Sequence, residues 1–182
     1  MTDVNGIYSF LNLIAGAYTV SEEMQAGWLQ TKPVGGSYSI NLVGNSSDND
    51  FGNFQLGSIS GVKYEDVNGD GVKDVGEAGL QNWEIVLSGA GDDTVMTDVG
   101  GNFAFTSLTA GAYSVTEINQ NGWMQTAPAG GNYTVDIVSG TIASGKDFGN
   151  FELGAISGMK FNDANGNGAK DVGETGLQNW SI

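Results

Sequence analysis

Residues Asp66-Val67-Asn68-Gly69-Asp70-Gly71-Val72-Lys73-Asp74-Val75-Gly76-Glu77 place oxygen-bearing side chains at alternate positions around a tight turn and close with a glutamate. This satisfies the loop pattern D-x-[DN]-x-[DN]-G-x5-E, in which alternate residues converge on one point. Asp66, Asn68, Asp70, Asp74 and Glu77 would supply side-chain oxygens, Val72 a backbone carbonyl and Gly71 the sharp turn. A hard cation such as Ca2+ takes six to eight oxygens at about 2.4 Å, so this set suits it. A second copy offers Asp163, Asn165, Asn167, the Ala169 carbonyl, Asp171 and Glu174, with Gly168 at the turn. Asn167 stands where the first copy has Asp70, so weaker binding is expected there. The competing reading is a solvated acidic turn. A helix–loop–helix hand does not fit, because the flanking Gly-Val-Lys-Tyr and Trp-Glu-Ile-Val-Leu read as strands.

A second set of residues carries different chemistry. In Tyr113-Ser114-Val115-Thr116-Glu117, strand alternation puts Glu117 on the face of Tyr113 and Val115, toward a core, and Tyr18, Val20 and Glu22 repeat the pattern. Lys63 is in phase with Ile59 on a short strand. Burial lowers the pKa of an amine and raises that of a carboxyl. A neutral amine beside a protonated acid can attack an asparagine carboxamide, release ammonia and leave an isopeptide crosslink. Asn150, in Asp-Phe-Gly-Asn-Phe, is the natural electrophile. Phase does not orient it, because Phe148 and Phe151 are both apolar. The other reading is a Lys63–Glu117 ion pair near the surface with Asn150 in a turn.

The elements that must position these groups recur along the chain. Ile59-Ser60-Gly61-Val62-Lys63-Tyr64 returns as Ile156-Ser157-Gly158-Met159-Lys160-Phe161, roughly 97 residues on, and Gly79–Trp83 returns as Gly176–Trp180. Ala15–Val20 matches Ala110–Val115, and Asp50–Phe54 matches Asp147–Phe151. This divides the chain into the back of one repeat (1–55), a complete repeat (56–153) and the front of another (154–182). Trp83–Leu87, Asn102–Phe105, Tyr113–Glu117 and Tyr133–Ile137 alternate with period 2, and glycine-, asparagine- and aspartate-rich turns such as Asp98–Gly101 separate them. No segment has sustained helical periodicity. An all-β sandwich of about 100 residues per repeat is expected. Trp28, Trp83, Trp123 and Trp180 fall at equivalent positions and are read as core residues.

Composition excludes several functions. The 182 residues carry 21 acids, six lysines, no arginine, no histidine and no cysteine, for a formal charge of −15. Lys32, Lys63, Lys73, Lys146, Lys160 and Lys170 cannot build a phosphate-binding face amid so many acids, so no nucleic acid partner is expected. Catalytic dyads that need histidine or cysteine, and ordinary zinc sites, are absent. No apolar run reaches the ~20 residues of a membrane span. With 30 glycines and 40% hydrophobic residues, the chain reads as short packed strands joined by tight turns.

Leu108 to Glu117 (Leu-x-Ala-Gly-x-Tyr-x-Val-x-Glu), the Gly122-Trp123 turn, the acidic loop and Asp-Phe-Gly-Asn together resemble the B-type repeats of bacterial surface adhesins. These include the collagen-adhesin B type and the calcium-binding B repeats of serine-aspartate repeat adhesins. The resemblance covers essentially the whole chain. It implies tandem immunoglobulin-like sandwiches, bound Ca2+, and an extracellular stalk at the cell surface or cell wall rather than an enzyme. From the collagen-adhesin branch it also implies a Lys63–Asn150 isopeptide with Glu117 as proton shuttle.

Two readings of the chain's two ends stay open. They are a slice of a longer tandem array, or halves that complete one another between identical chains, head to tail in a filament. In the second, Lys160 would face Glu22 and Asn53 of the neighbour. The partners expected are neighbouring repeats or identical chains. The other function class is an adhesin module whose loops or sheet face recognise a host protein or glycan. Clustered exposed aromatics would favour it, and buried tryptophans would favour the stalk.

Overall fold

The structure, a computed structural model, describes all 182 residues. Thirteen strands and no helix form. In residues 1–55, β1 (Gly16–Ser21) pairs with β3 (Ser37–Leu42), and β2 (Trp28–Lys32) pairs with β4 (Gly52–Gln55), all antiparallel.

Residues 57–152 form a two-sheet sandwich. One sheet is built on β5 (Gly57–Glu65), which pairs antiparallel with β8 (Asn102–Leu108) and parallel with both β12 (Ile142–Ala143) and β13 (Phe148–Glu152); β10 (Trp123–Ala127) adds to β13. The facing sheet runs in the order β11 (Asn132–Ile137), β9 (Gly111–Glu117), β6 (Glu84–Gly89), β7 (Asp93–Met96). Alternation accounts for the packing. Ile85 and Leu87 of β6, Phe103 and Phe105 of β8, Tyr113 and Val115 of β9, and Val135 and Ile137 of β11 point inward and meet Ile59, Trp83 and Phe148 in one core. A lost ring here, as in Phe148→Ala, costs about 3–5 kcal/mol in comparable cores.

The first and last strands of the repeat are parallel neighbours, with Lys63 opposite Phe148 and Glu65 opposite Asn150. Behind them the backbone approaches closely at Gly101 (φ +77°), where a Cβ would stand 2.1 Å from the Lys63 carbonyl oxygen. The Lys63 amide donates to the Gly101 carbonyl at 2.7 Å, and the Leu80 amide donates to the Lys63 carbonyl at 2.9 Å. These contacts fix the backbone that carries the lysine.

Residues 153–182 are a separate compact unit without a ladder. A bridge between Phe161 and Gly176 and a Leu177 amide donating to the Lys160 carbonyl (2.8 Å) reproduce the Tyr64–Gly79 bridge and the Leu80–Lys63 bond. Strand geometry fails to extend through Ile156–Lys160 because the unit lacks strands to pair with. The expectation that all four tryptophans pack in cores needs correction. Trp83 is buried and Trp123 packs edge-on against it, whereas Trp28 and Trp180 are 39% and 59% exposed.

Candidate functional site

Lys63 of β5, Glu117 of β9 and Asn150 of β13 come together inside the sandwich. Lys63 and Asn150 belong to neighbouring strands of one sheet, and Glu117 reaches them from the other. Lys63 Nζ stands 3.2 Å from Glu117 Oε2, with both side chains closed to solvent. The same Nζ donates to the Phe148 carbonyl at 3.4 Å and lies 4.4 Å from the centroid of the Trp83 ring. Asn150 is fully buried, and its Nδ2 donates to Asn119 Oδ1 at 3.0 Å. Asn119 Nδ2 in turn donates to the Trp123 carbonyl. Asn150 Oδ1 and Glu117 Oε1 are buried without a hydrogen-bond partner.

Burial sets the electrostatics. It draws the Lys63 amine down to about 8, against the pull of the Glu117 charge. It also raises the Glu117 carboxyl, against the opposing influence of Lys63 and Asn150. Desolvation thus brings the two proton affinities closer, and a proton passed from the amine to the acid would leave both groups neutral. The result is an amine nucleophile, a carboxylic acid and a carboxamide with an orphaned oxygen in one dry pocket.

The Asp66–Glu77 loop follows β5 directly. Asp66 is buried, and its two carboxylate oxygens accept the amides of Gly69 (2.7 Å), Asp70 (3.2 Å) and Gly71 (2.7 Å). Burial acts to raise its pKa, but the neighbouring Thr126 hydroxyl and those three amides outweigh it and hold the carboxyl below its ordinary value. Glu77 accepts the amides of Val67 and Asp74 at 2.9 Å each, closing the loop. Gly69 (φ +75°) and Gly71 (φ +78°) take left-handed conformations that let the chain turn twice. Asn68 Nδ2 lies between Asp70 Oδ2 (3.2 Å) and Asp74 Oδ2 (3.0 Å). The positive end of an amide dipole therefore sits between the two carboxylates, and no three carboxylates converge on one point.

The second loop repeats this network. Asp163 accepts the amides of Asn167 and Gly168, Glu174 accepts those of Ala164 and Asp171, and the Asn165 and Asn167 side-chain amides both donate to Asp171. Val72 and Ala169 occupy the same place in the two loops, their amides donating to Asp70 Oδ1 and Asn167 Oδ1.

The segments before and after the sandwich hold parts of a similar set. In residues 1–55, Asn53 Nδ2 donates to Glu22 Oε2 at 2.7 Å beside an open cleft lined by both residues and Trp28. In residues 153–182, Lys160 Nζ lies 4.7 Å from the Trp180 ring, as Lys63 does over Trp83.

Sequence reasoning missed Trp83 as the cover of the lysine and Asn119 as the anchor of the carboxamide. Both left a signal. The Lys63–Trp83 spacing recurs in Lys160–Trp180, and Asn119 stands two residues after Glu117, just past the strand end.

Residues 57–146, from the start of β5 nearly to β13, match the family model of the SdrD B-like domain. Over that stretch the chain is similar to SdrD B-like domains. Relatives of the B-like repeat include serine-aspartate repeat-containing protein F of Staphylococcus epidermidis (strain ATCC 12228 / FDA PCI 1200), 29% identical over 100% of this chain and 13% of that protein. Another is the bone sialoprotein-binding protein of Staphylococcus aureus (strain MRSA252), 33% identical over 63% of this chain and 12% of that protein. The chain therefore spans only about an eighth of the length of these relatives. Among solved structures, the minor pilin GBS52 of Streptococcus agalactiae aligns with 86% of this chain and 68% of its own at a TM-score of 0.42 and 15% identity. The group B streptococcus pilus 2b backbone protein aligns with 73% and 52% at 0.42 and 14%.

Proposed function

We propose that the chain is a tension-resisting spacer of a surface protein, stiffened by Ca2+ and locked by an internal isopeptide. The observation that carries this reading is the placement of Lys63 and Asn150 on the first and last strands of the repeat, which pair in parallel. Force passed along an array enters at β5 and leaves at β13, so it loads that pair in shear. A covalent bond between those strands would carry the force past the rest of the sandwich.

The bond forms by balanced amide exchange. Lys63 gives a proton to Glu117, and the Nζ lone pair attacks Asn150 Cγ. Glu117 then hands that proton to the departing Nδ2 and takes the second proton from Nζ, so that ammonia leaves as the Nζ–Cγ amide forms and Glu117 ends protonated. Intact-mass measurement tests this. A deficit of one ammonia per complete repeat, abolished by Lys63→Met, supports the bond; the full mass refutes it.

For the ion, Asp66, Asn68, Asp70, Asp74 and Glu77 with the Val72 carbonyl form an all-oxygen set suited to a hard cation, and the second set is Asp163, Asn165, Asn167, Asp171 and Glu174 with the Ala169 carbonyl. Rotating the Asn68 amide would turn its oxygen into the place its nitrogen now holds between Asp70 and Asp74. Bound Ca2+ would neutralise the acidic loop and brace the end of β5.

The open Glu22–Asn53 cleft and the Lys160–Trp180 pair support association between a residue 1–55 segment and a residue 154–182 segment of another chain, completing one repeat head to tail. A ladder of bands in denaturing electrophoresis is the expected result if that contact also crosslinks. The buried Trp83 and half-buried Trp123 leave the complete repeat without an exposed indole platform, which favours a spacer over a glycan-binding face.

A further inference from the structure

The chain passes from residues 1–55 into the complete repeat without a linker. β4 ends at Gln55, β5 begins at Gly57, and Leu56 alone lies between them. The joint is hydrogen-bonded on both sides. The Leu56 amide donates back to the Gly27 carbonyl at 2.9 Å. The Gln55 amide donates forward to Ser139 Oγ at 2.9 Å, and the Gly140 amide donates to the Gln55 carbonyl at 2.9 Å. Phe54 packs against the main core. Gly140 has φ +77°, and a Cβ there would stand 2.8 Å from Gln55 Oε1, so the glutamine side chain lies across the turn.

The receiving turn is itself fixed. The Val138 amide donates to Thr141 Oγ1 and the Thr141 amide to the Val138 carbonyl, both at 3.0 Å. The Ser58 amide donates to the Thr141 carbonyl at 3.0 Å, tying the turn to the strand that the linker enters.

We infer that the Val138–Thr141 turn is a receptor for the last strand of the preceding repeat and sets the angle between consecutive repeats. Its partner is a strand end of the type Phe-Gln-Leu-Gly, whose backbone is read at one residue by two hydrogen bonds and whose aromatic ring enters the next core. None of these contacts uses a charged group. The acidic loop lies at the other end of β5, after Glu65, beside the exit strand β13: the Asp66 amide donates to the Asn150 carbonyl, and the Phe151 ring lies 3.5 Å from where a Gly69 Cβ would be. The joint at the entry end and the ion loop at the exit end are therefore separate devices, and the joint holds without the ion.

The cysteine-free chain allows a direct test with paired spin labels at Ser39→Cys and Asp136→Cys, both exposed and on opposite sides of the joint. A single narrow distance distribution is expected, in Ca2+ and equally in chelator below the melting transition. Ser139→Ala combined with Gly140→Val is expected to abolish the narrow peak. Gln55→Pro, which removes the amide donor from outside the complete repeat and cannot unfold the receptor, is expected to do the same. A broad distribution in the parent chain, or a narrow one that survives Gln55→Pro, would overturn the clamp. Broadening by chelator alone, with the strand signal of circular dichroism intact, would overturn its independence from the ion.

Discussion

Lys63 Nζ and Glu117 Oε2 stand 3.2 Å apart with no solvent access, although opposite sheets carry them. Removing the acid leaves the amine buried and unpaired, which in comparable interiors costs about 3–5 kcal/mol. Glu117→Ala is therefore expected to lower the melting temperature steeply and to give the full, uncrosslinked mass. Loss of the ammonia deficit without loss of stability would mean that the pair matters for chemistry alone.

The pair also predicts a pH signature. Lys63 is drawn from 10.5 to about 8, so between those values the unfolded chain binds more protons than the folded one, and stability rises with pH across that window. Glu117 is raised, so its contribution is greatest at low pH and is lost as pH climbs from 4.5 through its folded value. Denaturant melts in a Lys63→Met chain should lose the alkaline rise. A crosslinked chain should lack it as well, because the amide nitrogen no longer titrates.

Asn119 is expected to act as a positioning residue. It holds Asn150 Nδ2 at 3.0 Å, whereas Asn53, whose counterpart of Asn119 is Met24, donates to Glu22 instead. Asn119→Met should let Asn150 turn its amide onto Glu117, hold that acid ionised and slow crosslinking. Carbon-13 titration of Glu117 in a Lys63→Met background reads the turn directly, and an unchanged titration would sink this role.

Ion removal should act on the loop. A ligand bound only by the folded state at a hundred times its dissociation constant stabilises by about 2.7 kcal/mol. Chelator should lower the melting temperature of the complete repeat, and Asp66→Ala should make it insensitive to Ca2+. Asn167→Asp should tighten the second loop in calorimetric titration. Equal melting curves with and without chelator would count against both loops.

The strand pattern makes much of this legible in the sequence. Tyr113, Val115 and Glu117 alternate inward as their spacing requires, and Ile59 and Lys63 share a face. Asn150 was not legible, because Phe148, Gly149 and Asn150 are all buried and periodicity breaks down. The cause is local: Phe148 and Asn150 face the core, the Tyr64 ring covers Gly149 from the other side, and Phe151 lies out against Gly69 of the acidic loop. The acidic loop could be read for its oxygens but not for the Asn68 amide inserted between two of them. The joint left only faint traces, since Ser139 and Gly140 look like any turn until Gln55 is laid across them.

Parallel pairing of β5 with β13 also governs reach. The polypeptide enters a repeat at one pole and departs at the opposite one, so each added copy extends the protein outward by about the length of nine strand residues, ~30 Å. Copy number, rather than loop length or slack, would then set the reach of a tandem array built from such repeats.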